Sequence, residues 1–245
     1  MISAFVITHN SEKFLKRCLS SLSFVDEIII VDSNSTDKTL EIAREMGAKI
    51  IQKEFTTFSE KKEFAKNQCK NQWILNIDAD EYLPYETAKE IQAIIKENKH
   101  DAYLIPFKTY FETKEIRYGR HKNELHIRLF KKFHKYGRES VHEKIINAKN
   151  IGRLNNFIIH TPYECLGDIK LRASRNAKLA SQDKTKINIF LIIVFVIFNP
   201  IIRFIKEYII LLGFLDGYIG LYLAFYSAKE VYLKYLWGLK KKIKP

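Results

Sequence analysis

Trp73-Ile74-Leu75-Asn76-Ile77-Asp78-Ala79-Asp80-Glu81 is the stretch on which the fold turns. An apolar run, 73 to 77, ends in three carboxylates within four residues. A short apolar run reads as a buried strand. Carboxylates at its end lie at the carboxyl edge of a sheet, where open α/β folds bind ligands. Asp78 and Asp80 could hold one hard divalent cation against a diphosphate, because Mg²⁺ is usually bound by one or two carboxylates plus substrate phosphates. A strand followed by a solvated acidic turn has the same sequence, so the stretch alone leaves both readings open.

Residues 3 to 8 form another apolar run, ending in Thr8-His9-Asn10. Ser11 is a helix N-cap candidate. Phe14, Leu15, Cys18, Leu19 and Leu22 recur at helical spacing, so residues 11 to 22 form an amphipathic helix. Residues 27 to 31 are a second strand, ending in Asp32-Ser33-Asn34. Ser35 and Asp37 are cap candidates for a helix through Met46, with Gly47 its natural stop. Residues 49 to 51 are a third strand. The helix from about Ser59 to Cys69 is expected to turn Phe64 and Ala65 inward. Strand–helix alternation of this kind implies βαβ units and a parallel sheet. Right-handed crossovers then point all four strands the same way. Three polar clusters, at Thr8, Asp32 and Asp78, therefore share one sheet edge. Random surface polarity has no reason to choose that edge three times, so the ligand-site reading gains over the acidic turn. Neither GxGxxG nor GxxxxGK[ST] occurs, which disfavours a dinucleotide fold and a P-loop.

From Pro84 the pattern changes. A helix over 86 to 98 precedes strands at about 101–111, 125–131, 140–146 and 156–161, a mixed or antiparallel region rich in Arg, Lys and His. The net charge of +13 calls for an anionic partner: nucleic acid, anionic lipid or a phosphorylated substrate. No nucleic-acid motif is present, and that class leaves the sheet edge unexplained. Cys18, Cys69 and Cys165 are too few and too far apart for a disulfide framework or a CxxC metal site, which suggests a reducing compartment. The chain enters its first strand directly, so no signal peptide is expected.

Three segments together resemble the N-terminal half of family 2 glycosyltransferases, which have the GT-A fold: Phe5 to Asn10, Ile30 to Thr39, and Trp73 to Glu81. Arg128-Leu129-Phe130 with Val141-His142-Glu143, and Phe214-Leu215-Asp216-Gly217 with Gly220, resemble the branch containing lipopolysaccharide inner-core glucosyltransferases. The resemblance implies a Rossmann-like, mostly parallel sheet with helices on both faces. It implies an inverting enzyme that moves a hexose, glucose in that branch, from a UDP-sugar to a membrane-held saccharide, the lipopolysaccharide or lipooligosaccharide core. Thr8, Asn10, Asp32 and Ser33 would line the nucleoside, and Lys62 the sugar or diphosphate. Asp78 and Asp80 form the DXD motif. Asp80 is the first choice for a divalent metal, Mg or Mn, Asp78 for the ribose or sugar as well as the metal, and His160 for the metal or diphosphate. Glu143 is the first candidate for the base that deprotonates the acceptor, and His142 the second. Many members have two adjacent aspartates after the second strand, the second contacting uracil; here Ser33 occupies that position.

The last quarter is dense in apolar residues. Residues 168 to 183 read as a charged helix. Residues 187 to 198 hold one polar side chain, Asn188, before Asn199-Pro200 is expected to break the helix. Twelve residues are short for a membrane span, which needs about 20. Residues 208 to 226 are long enough but contain Asp216, costly at mid-bilayer. The expected arrangement is a catalytic domain over 1–183, with a nucleotide-sugar half (1–83) and an acceptor half (84–183). A helical tail over 184–245 then lies in the membrane interface, its tyrosines and Trp237 at headgroup level and Lys240, Lys241, Lys242 and Lys244 on anionic lipid. This places the chain at the cytoplasmic face of the plasma membrane. Polyprenyl-phosphate or capsular acceptors, and a catalytically inactive membrane-surface protein, are the alternatives.

Overall fold

The computed structural model describes residues 1–55, 57–137, 145–146, 148–181 and 188–243. They form two compact units, one of residues 1–108 and 125–160, the other of 109–124 and 161–245. This division does not coincide with the boundary expected at residue 183.

The first unit is built on β1 (Ile2–Thr8), β2 (Glu27–Asp32), β3 (Lys49–Gln52) and β4 (Trp73–Asp78). These strands are parallel and ordered β3-β2-β1-β4. Helices α1 (Glu12–Ser20), α2 (Thr39–Glu45) and α3 (Phe58–Gln68) connect them. The strands are apolar on both faces because helices cover both. Ala4, Val6, Ile30, Leu75 and Ile77 belong to one core cluster with Leu15 and Leu19 of α1. Phe5, Ile29, Val31 and Ile74 belong to another with Ala65 of α3. Gly47 adopts φ +70° just past α2, the left-handed position that glycine takes without steric cost. Ser11 precedes α1 but makes no side-chain cap; its N–H instead donates to Thr39 Oγ1 at 2.7 Å.

Register fixes the edge. Thr8 lies opposite Asp32 on one side, and Ile7 opposite Asp78 on the other. After β5 (Glu81–Tyr82) and α4 (Tyr85–Glu97), the sheet continues antiparallel through β6 (Ala102–Phe111) and β8 (Leu125–Lys131), which flanks β4. Strand β7 (Lys114–Ile116) pairs with the end of β6. Short strands β9 (Lys135–Tyr136) and β10 (Ile145–Ile146) pair with each other, and β11 (Ile151–Arg153) pairs with β6. Finally β12 (Ile158–Tyr163) runs antiparallel to β5, setting His160 opposite Glu81.

The second unit contains β7, α5 (Leu166–Ala180), α6 (Ile189–Ile205) and α7 (Tyr218–Ile243). Phe111, Ile116, Tyr163, Ile169, Ile219 and Leu223 form its core cluster. One expectation fails here. Pro200 does not break its helix: α6 runs through it and continues as a π-helix to Ile210, giving a 22-residue apolar stretch whose most apolar 18-residue window has a mean hydropathy of 2.3. A proline inside a helix forfeits one hydrogen bond and costs about 3 kcal/mol, and the packing of α6 along α7 holds the helix on both sides of it. Residues 208–226 do not form one continuous helix. Leu212, at φ +59°, and Gly217, at φ +69°, turn the chain around a 3-10 turn at Gly213–Asp216. That turn is close-packed: a Cβ on Gly220 would lie 1.8 Å from the Gly213 carbonyl oxygen. Asp216 is buried as a clasp, its carboxylate accepting from the Arg117 N–H at 3.2 Å and the Tyr118 N–H at 2.9 Å.

Candidate active site

The sequence-derived candidates of the first unit fall into two clusters. The first closes on Asp32, which is fully buried. Its Oδ1 accepts from Thr8 Oγ1 at 2.7 Å and from Ser35 Oγ at 2.5 Å. Its Oδ2 accepts from the Ser35 N–H at 2.8 Å. Asp32 and Thr8 thus shape the loop rather than face outward. Asn10, in the left-handed conformation that asparagine tolerates, ties the neighbouring loop down: Oδ1 accepts from the Thr36 N–H at 2.8 Å. Ser33 is half-buried, and its carbonyl meets His9 Nδ1 at 2.7 Å.

The second cluster surrounds the acidic triplet. Arg128 on β8 donates from one terminal nitrogen to Asp78 Oδ2 at 2.6 Å and to Glu81 Oε1. Asp78 is also paired with Lys62 Nζ at 3.1 Å. Glu81 Oε2 accepts the Asp78 N–H at 2.9 Å. Burial favours the neutral form of both acids, but Arg128 and Lys62 together outweigh it at Asp78, whose carboxyl is held far below the carboxylate range. Glu81 is more deeply buried, and burial together with the Asp78 charge outweighs Arg128 and raises its carboxyl. Burial lowers Arg128, yet the two carboxylates raise it above its usual value. One guanidinium therefore serves two acids, lowering the carboxyl of Asp78 while that of Glu81 is raised. Asp80 and His160 are drawn together instead, Nε2 lying 3.5 Å from Oδ2, with the Phe107 ring edge-on to the imidazole at 6.3 Å.

Beside the expected Lys62, helix α3 supplies two lysines that the sequence reading missed, Lys61 and Lys66. Its buried face holds Lys61, Lys62 and Lys66, while the expected Phe64 is only half-buried. Lysine stems pack like apolar side chains while the ammonium finds its own partner. Lys61 Nζ donates to the Thr8 carbonyl and to Ser33 Oγ, both at 2.7 Å. Burial, partly opposed by Asp32, pushes Lys61 down to about 8. Arg128 stood in sequence within a quoted motif and a basic run; its ion pairs, 47 and 50 residues apart along the chain, carried no local signal. The base candidates Glu143 and His142 lie outside the described residues.

A carboxylate and an imidazole beside each other fit a divalent cation, since carboxylate oxygens suit Mg and Mn and imidazole also suits transition metals. Asp80 and His160 would hold it and substrate phosphates would complete its shell. Asp78 is committed to two cations. No group of three or more acidic, His or Cys ligands occurs among the described residues.

The comparisons agree with this architecture. Residues 3–158 match the family model for glycosyl transferase family 2, and the chain belongs to that family. An uncharacterized glycosyltransferase of Rickettsia bellii (strain RML369-C) is 47% identical over 104 residues, which are 42% of this chain and 35% of the relative. The chain thus spans well under half the length of that relative. The lipopolysaccharide core biosynthesis glycosyltransferase LpsC of Rhizobium meliloti (strain 1021) is 24% identical over 96% of this chain and 93% of its own. Among solved structures, S. aureus TarS 1-349 in complex with UDP superposes with a TM-score of 0.54 at 20% identity, over 95% of this chain and 91% of that one. At that identity the likeness shows the shared GT-A fold, as expected from the resemblance.

Proposed function

We propose that the chain is an inverting, metal-dependent glycosyltransferase that moves a hexose from a UDP-sugar to a membrane-held saccharide, lipopolysaccharide or lipooligosaccharide core. The observation behind this reading is the division of labour at the carboxyl edge. Arg128 and Lys62 commit Asp78, while Asp80 and His160 face each other. The acceptor class is supported by the near full-length match to LpsC, and the donor class by the UDP complex of TarS.

In this reading the nucleoside sits beyond β1 and β2 and the diphosphate beside Asp80 and His160. A bound divalent cation supplies charge neutralisation on the leaving diphosphate. Lys62 and Arg128 add fixed positive charge close by, and Asp78, held between them, keeps both in place. The acceptor hydroxyl attacks the anomeric carbon from the opposite face and gives its proton to a base, for which Glu143 is the first candidate and His142 the second. One base suffices for a single displacement, unlike the paired carboxylates of a glycoside hydrolase.

The helical region of the second unit would seat the enzyme on its acceptor's membrane, at the cytoplasmic face. Along Ile189–Ile210 only 6% of the most apolar window is buried. Phe190, Ile197, Phe198, Ile201, Ile202, Ile205, Ile209 and Ile210 are exposed, as are Phe214, Leu215, Tyr218 and Leu221 after the turn. Exposed apolar surface on this scale marks an interaction site. Helix α7 packs against both α6 and α5, and it holds Lys229, Glu230 and Lys234 in its middle. A perpendicular crossing by α6 would draw these charges into hydrocarbon, so α6 lies along the interface.

The test is UDP release from a panel of UDP-sugars with Mn²⁺ or Mg²⁺, with and without truncated-core lipopolysaccharide. Release that depends on acceptor and falls about 10²–10³-fold in Asp80→Ala is expected. No release from any donor contradicts the reading.

A further inference from the structure

Strand β8 changes face part-way along. Leu129 packs in the core cluster that holds Tyr103, Ile105 and Phe107 of β6, whereas Ile127 packs in the other cluster, with Phe130. Residues two apart on a regular strand share a face. The register explains the exception. Tyr103 lies opposite Leu129 and Leu104 opposite Ile127, so Arg128 is an extra residue, a β-bulge. Bulges beside active sites re-aim side chains, and this one re-aims two. Arg128 leaves the β6 ladder and reaches Asp78 and Glu81. His126, beyond the bulge, is turned over to the face of the sheet that carries Phe107.

Three functional groups meet on the buried Phe107 ring. His126 stands perpendicular to it at 5.0 Å between centroids, and His160 does the same at 6.3 Å. The guanidinium carbon of Arg128 lies 5.4 Å from the centre of the same ring. His160 is drawn to Asp80, and Arg128 to Asp78 and Glu81. His126 is exposed, so its imidazole stands on the open side of this group. A diphosphate already has the fixed charges of Lys62 and Arg128. A hexose needs partners for hydroxyls, which both donate and accept, and a neutral imidazole has one nitrogen for each task.

We infer that His126 is a specificity-determining residue whose imidazole hydrogen-bonds a hydroxyl of the transferred hexose, aimed there by the bulge at Arg128 and braced by Phe107. This rests on the nucleotide-sugar reading above. The bulge links two tasks in one short stretch of β8: Arg128 leaves the ladder toward the diphosphate, and His126 is turned toward the sugar attached to it.

Calorimetric titration of the full chain with UDP and with UDP-glucose, both in Mn²⁺, tests this, with far-UV circular dichroism and thermal melting of each variant confirming the fold. His126→Ala should weaken UDP-glucose binding about tenfold and leave UDP binding within about twofold, because UDP lacks the hexose. His126→Gln, which keeps a donor and an acceptor, should recover part of the loss. Equal weakening of UDP and UDP-glucose in His126→Ala would put the imidazole on the diphosphate instead. UDP-glucose affinity within about twofold of the natural chain would remove it from the donor altogether. Either result overturns the inference alone. A natural chain that binds neither UDP nor UDP-glucose overturns the donor reading and the inference with it.

Discussion

The sheet edge of the first unit and helix α6 of the second answer opposite physical problems. At the edge, charge is buried, and each carboxylate has been given partners. Along α6, apolar surface is exposed, and no side chain of the described residues covers its outer face. The first arrangement can be complete within the chain. The second calls for something outside it. Within the edge there is a second contrast. Asp32 is satisfied by two hydroxyls and a backbone N–H, whereas Asp78 is satisfied by two cations. Neutral donors shape a loop; cations beside a carboxylate create a field that a diphosphate can use.

The largest expected effect lies on α6. Replacing Ile201, Ile202 and Ile205 together by Ser removes three exposed side chains, each worth about 1.5 kcal/mol or more on burial. Binding to anionic liposomes, followed by flotation, should fall roughly 10³-fold while the folded protein's melting temperature barely moves. Equal flotation would erase the contrast between the two regions.

Next comes the charge cluster. Arg128→Met leaves Asp78 and Glu81 buried around a missing partner and should destabilise the protein by about 3–5 kcal/mol. Asp32→Ala, in the neutral cluster, should cost about 1–3 kcal/mol, because hydroxyls can turn to other acceptors. Urea unfolding of the two variants ranks them, and the reverse order would mean that the cations around Asp78 contribute less than the hydroxyls around Asp32.

The smallest effect is a pH slope. Folded Lys61 titrates at about 8 and unfolded lysine at 10.5. Between those values the unfolded chain holds more protons, so raising pH favours the folded state. Stability of the natural chain relative to Lys61→Met should therefore rise from pH 8 to 10.5. A flat difference would mean that the ammonium is not buried in solution.

Much of this was legible in the sequence. Apolar runs and turn residues locate β1 to β4, and alternation with helices fixes their direction, hence the shared edge. The limits of Leu125–Lys131 also follow from its composition. What escaped depends on partners far along the chain. Three inward lysines on α3 violate apolar periodicity, and their acceptors, such as Thr8 and Asp78, lie on other strands. Asp216 looks like a charge stranded in an apolar segment; only the fold brings it the amides of residues 117 and 118. Pro200 obeys a local rule that helix packing overrides.

The central claim is that Asp80 and His160 hold a divalent cation against a nucleotide diphosphate. Titration of UDP into the protein with Mn²⁺ or with EDTA, for the natural chain and for Asp80→Asn, tests it most directly. UDP binding that requires Mn²⁺ and falls at least tenfold in Asp80→Asn is expected. Equal UDP affinity with Mn²⁺ and EDTA, unchanged by Asp80→Asn, would contradict it.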